Sequence, residues 1–177
     1  MYPRGHAGKR SVLLAAAFVV LVAGCGGGGG GSTTTGVDLS GQRVEGDGFA
    51  FQAPKDWTPK VTATSASASH DADTLVSVTV LPLLKPYKPA LFPRVVAELD
   101  RVAKELAAKL GGELTSSRSI EAGGGRAREY EIAHGELVDR ITFVLRAKRE
   151  YELVCRWRKA DGEPAACDQL VGSFSFR

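Results

Sequence analysis

Few stretches of this 177-residue sequence bring together side chains that could transfer protons, hold metal or attack a substrate. "HDAD" sets His70, Asp71 and Asp73 in a polar loop, a donor set for at most a weak, water-rich metal site. Glu129 and Glu131, like Glu150 and Glu152, lie two apart and share a strand face. They read as a charged outer surface, because nothing nearby in sequence would bury one and raise its pKa. His134, beside Gly135, reads as a solvated turn histidine. "AGGGR", Ala122 to Arg126, lacks the Gly-Lys-Ser/Thr ending of a phosphate loop and leads into a strand, so it reads as a hairpin. No Gly-x-Ser-x-Gly elbow occurs, and Ser173 sits in an apolar terminal segment. The expectation is a chain with no catalytic residue, no metal and no cofactor.

Cys25 has a different context. Arg4, Lys9 and Arg10 precede "VLLAAAFVVLV", eleven apolar residues from Val12 to Val22. As a helix this stretch rises only ~16 Å, too short to span a bilayer but suited to a signal peptide. "LVAG" then leads into Cys25 and resembles the bacterial lipobox, whose cysteine is lipidated on sulfur and becomes the mature amino terminus. The resemblance implies a signal peptide over 1–24, an acylated Cys25, and anchoring at the extracytoplasmic face of the cell membrane. Gly26 to Gly48 has too few apolar residues to offset its chain entropy, so 25–48 is expected to be a flexible spacer of roughly 25 Å r.m.s. length. The folded domain is expected over 49–177.

With Cys25 set aside, Cys155 and Cys167 remain, and an even pair in an exported chain reads as one disulfide. A metal site would need more soft ligands than His70 and His134 provide. Arg4, Lys9 and Arg10 account for three of the 23 basic residues, which leaves 20 against 20 acidic ones in the mature chain. No basic block interleaved with aromatics remains, so nucleic acid is an unsuitable partner. A monomer is expected.

The elements that would position these residues can be read from periodicity. "GFAFQAPKDW" alternates as a strand stopped by Pro54, with Trp57 closing over the sheet's end. "VTATSASASHDAD" is an edge strand or a loop. "TLVSVTVLPL" sets Val76, Val78 and Val80 on one face and ends at Pro82. In "FPRVVAELDRVAKELAAKLGG", Val95, Leu99, Val102, Leu106 and Leu110 make the stripe of a helix entered at Pro93 and left at Gly111. Four strand-like segments with short connections follow, as in an antiparallel meander, then a short helix near Pro164 and a terminal apolar stretch.

This order, with "FAFQAPKDW" first and "AACDQLVGSF" near the end, resembles the PsbP-like fold, and the lipobox points to the LpqN-type lipoproteins within it. The resemblance implies an α+β class: an antiparallel sheet flanked by helices in an α-β-α sandwich, with a binding or scaffolding role in the cell envelope. A carrier of a lipid or other apolar ligand is the alternative, and a hydrolase stands last.

One stretch adds a candidate contact. "LPLLKPYKPALFP", Leu81 to Pro93, sets Leu84, Tyr87 and Leu91 among four prolines. Proline lowers the entropy lost when such a loop is ordered, so these residues could form a preformed apolar lip for a protein or lipid partner. Alternatively they cap the sheet's end and pack under the helix.

Overall fold

The apolar period between Phe92 and Leu110 produces the long helix, and the alternating segments around it produce ten strands. The computed structural model describes residues 41–177. In chain order these hold β1 (Gln42–Gly46), β2 (Phe49–Ala53), β3 (Thr58–Val61), β4 (Ser65–Ser69), β5 (Leu75–Pro82), α1 (Phe92–Lys109), β6 (Glu113–Ala122), β7 (Gly125–His134), β8 (Leu137–Arg146), β9 (Arg149–Arg158), α2 (Ala165–Ser173) and β10 (Ser175–Phe176). A seven-stranded antiparallel sheet runs β3-β4-β5-β9-β8-β7-β6, and a three-stranded one runs β1-β2-β10. The meander β6 to β9 turns on two or fewer residues each time, and Gly123 and Gly124 both take positive φ in the first turn.

Each face of the large sheet is covered by a different layer. On one, α1 lies over β6 and β7, packing Leu99, Ala103 and Ala107 on Tyr130, Ile132, Ile141 and Phe143. The buried line of the helix therefore runs through two alanines, with Val95 and Leu106 beside it. Leu110, expected in the stripe, is the C-cap of the helix and is exposed. On the other face, Phe49, Phe51 and Ala53 of the small sheet and Leu170 of α2 close over Val76, Val78, Leu153 and Cys155. The architecture is α+β, a sheet between helices, with the small sheet sharing the second layer.

Cys155 on β9 and Cys167 on α2 are bonded at 2.04 Å. The link joins α2 to the central sheet, and closing a loop of this size contributes ~3 kcal/mol.

Two expectations change. The spacer expected to extend to residue 48 ends earlier, since Gln42–Gly46 is a strand and Val44 is 3 % exposed. The cause lies in β2: Phe49, Ala50 and Phe51 are all buried, so the strand needs a neighbour on each edge, and Val44 pairs opposite Phe51. Gln42 fixes the entry by donating its side-chain amide to the carbonyls of Pro54 and Trp57. The polar stretch after Trp57 forms both β3 and β4, with Ala66 and Ala68 buried and β3 a fully exposed edge. Cys25 and the rest of the expected spacer lie outside the described residues.

Candidate functional site

The proline-rich connection leaves β5 at Pro82 and crosses one end of the sandwich. Two backbone bonds strap it to the β8–β9 turn: the Leu83 amide donates to the Lys148 carbonyl (2.9 Å), and Tyr87 N–H donates to Ala147 (2.6 Å). Tyr87 thereby lines a cleft of 490 Å³ with Pro89, the Gly123–Gly125 turn, Arg126, Arg146 and Phe176. Partial burial pushes its phenol above the usual range. Leu84 is 102 % exposed and touches no core. Leu91, 37 % exposed, sits in the single 3₁₀ turn before α1 and does not line the cleft. The two sequence readings thus divide by residue: Phe92 is buried at the sheet's end, while Leu84 is free for contact.

Two cations complete this end. The Arg126 guanidinium lies 4.2 Å over the Phe92 ring, and that of Arg146 lies 4.3 Å over Phe176. Such stacking holds a guanidinium in place while leaving its N–H donors outward. Neither donates to another described residue. Sequence reasoning took Arg126 only as the end of the "AGGGR" hairpin and passed over Arg146, twenty positions on and on a separate hairpin. Only the pairing of Ala127 with Val144 brings those hairpin ends together.

The remaining polar groups are engaged inside the fold. His134, expected in solvent, has a side chain only 13 % exposed, and its Nε2 lies 3.0 Å from Asp139 Oδ2. Asp139 also accepts both arms of the Arg156 guanidinium, at 2.6 and 2.8 Å. A histidine oriented by a carboxylate can serve as a base, but no described hydroxyl or thiol is hydrogen-bonded to this one. Glu129, expected on the outer surface, is 4 % exposed and accepts from Arg118 (2.7 Å) and Thr142 (3.0 Å). Arg140 beside it reaches Asp168 (2.9 Å) and Glu163. Glu129 is thus enclosed by groups from β6 and β8, and Arg140 is tied to α2, which arrives from far along the chain.

Glu150 and Glu152 also depart from the expected outer surface. They share a groove with Leu81, Leu106, Lys109 and Phe143, where burial raises both carboxyls and Glu152 further raises Glu150. At 220 Å³ the groove is smaller than a typical ligand pocket. In "HDAD", Asp71 Oδ1 accepts the amides of Asp73 and Thr74, both at 2.8 Å, and its other oxygen takes Arg158. These bonds hold its carboxyl well below the usual range. Ser173 is structural too: its hydroxyl donates to the Gln169 carbonyl and accepts from the Gln52 amide.

No family model matches the chain, and no curated protein matches it. Solved structures do. The solution structure of cyanobacterial PsbP (CyanoP) from Synechocystis sp. PCC 6803 is similar at a TM-score of 0.58 and 15 % identity, over 80 % of this chain and 96 % of that one. A Bacteroides thetaiotaomicron VPI-5482 crystal structure is similar at 0.55 and 11 % identity, over 76 % of this chain. The match spans about half of that protein, 48 %. The fold is PsbP-like.

Proposed function

We propose that the chain is an LpqN-type lipoprotein, anchored through acylated Cys25 at the extracytoplasmic face of the cell membrane. It acts there as a monomeric, non-catalytic module that binds or scaffolds an envelope component. The observation that carries this reading is the contrast between a filled core and one free end. The polar clusters inside the fold are internally paired, while fully exposed Leu84 and the Tyr87 cleft face outward together. The Cys155–Cys167 bond supports an oxidising compartment. Guanidinium groups at the rim of the cleft suit a polar or anionic contact better than a wholly apolar cargo.

Fractionation of cells expressing the full chain and Cys25→Ser tests the reading. Wild type belongs in the membrane fraction with a lipid mass on the Cys25 peptide, and the variant leaves that fraction. Equal membrane retention of both would overturn the anchor.

A further inference from the structure

Five cations crowd the end that carries Leu84: Lys85 and Lys88 on the connection, Arg126 after the glycine turn, and Arg146 and Lys148 around the β8–β9 turn. All five are exposed, and none forms an ion pair with a described residue. Nearby acids are few: Asp47 is paired with Arg149 at 3.1 Å, and Glu121 lines the adjoining cleft. In a mature sequence of formally zero charge, this is a local excess of positive charge around one exposed aliphatic side chain.

We infer that this end docks on an anionic bilayer, with Leu84 inserted below the headgroups and lipid phosphates held by Arg126 and Arg146. The inference rests on the membrane-anchored reading above. Cations near an anionic leaflet are drawn to it within a Debye length, and an exposed leucine among them gains by leaving water. Arg126 and Arg146 are pre-placed on aromatic rings with donors unused, the geometry that suits a phosphate. Proline at 82, 86, 89 and 93 limits the freedom the loop loses on insertion. Reach is sufficient. β1 begins at Gln42, away from this end, and a ten-residue strand such as β9 spans about 33 Å, whereas the seventeen residues from 25 to 41 can cover at most about 60 Å.

The test uses the full lipidated chain carrying Leu84→Cys, labelled there with an environment-sensitive fluorophore. It is reconstituted on phosphatidylcholine vesicles with or without phosphatidylglycerol, both containing brominated lipid as a quencher. Quenching is expected with phosphatidylglycerol and not without it, and a label at Glu136 on the opposite end stays unquenched in both. Lys85→Gln with Lys148→Gln weakens docking about twenty-five-fold, at about fivefold per cation. Flotation and the mass of the Cys25 peptide report the anchor separately. If Cys25 carries no lipid, the same quenching on free chain mixed with vesicles decides docking alone. An unquenched Leu84 label on phosphatidylglycerol vesicles overturns the inference and leaves a protein contact for this end. Equal quenching on both vesicles, or at both labels, overturns it too.

Discussion

Arg146 lays its guanidinium 4.3 Å above the ring of Phe176, and so joins the β8–β9 turn to the last strand. The same ring meets Tyr151 edge-on at 5.1 Å and Phe174 at 5.2 Å. A strand of only two residues, β10, is thus held by its side chain more than by its ladder.

Phe176→Ala is therefore expected to cost about 2 kcal/mol, below the value for a fully buried phenylalanine because this one is half-buried. Arg146→Ala alone should cost under about 1 kcal/mol. Urea unfolding of both single variants and the double one gives the coupling, expected at roughly 0.5–1 kcal/mol. Simple additivity would mean that the stack contributes nothing.

The groove beneath α1 makes a prediction about pH. Burial favours the neutral forms of Glu150 and Glu152, so both carboxyls titrate higher in the folded protein than the ordinary 4.5 of the unfolded chain. Between those values the folded state holds more protons. Stability from these two groups is therefore full below the unfolded value and is lost as pH rises through the folded ones. Asp100 works in reverse. Burial opposes its charge, but bonds from Tyr130 and Arg128 outweigh that and lower its pKa, so its contribution is lost as pH falls. Glu150→Gln with Glu152→Gln should raise the urea midpoint at neutral pH, with the gain vanishing below about pH 4, where wild-type carboxyls are protonated. A gain that persists undiminished in acid would show that charge burial is not the cause.

What could be read in advance follows the range of the signal. The strand through Val76 and Val78 and the helix through Leu99 each carry their own period, and each formed where the period put it. β1 carries a single inward residue, Val44, and its only specification is the unfilled edge of β2. Burial of Glu129 comes with its partners on the neighbouring strands, Arg118 and Thr142, and that of Glu150 with α1. No local pattern in "REYEI" or "EYELV" announces either. Arg126 and Arg146 were likewise silent, because a turn-flanking arginine looks the same in sequence whether its neighbour in space is water or another hairpin. Long-range juxtaposition, not local propensity, made the site.

Leu84 and Tyr87, three residues apart, should separate contact from stability. Leu84 makes no buried contact, so Leu84→Ser is expected to shift unfolding by no more than about 0.5 kcal/mol, as for most surface changes. Tyr87 packs its half-buried ring into the cleft beside Pro89 and Arg126, so Tyr87→Ala should cost about 1–2 kcal/mol. Its amide still reaches Ala147, so the loop keeps its strap and the fold survives. Thermal unfolding of the two variants side by side checks this. A large loss from Leu84→Ser would mean that this leucine packs against the domain in solution, and would remove it as a contact residue. A neutral Tyr87→Ala would instead leave the cleft without a structural role, and then its ring, like Leu84, would be there for whatever the end of the domain meets.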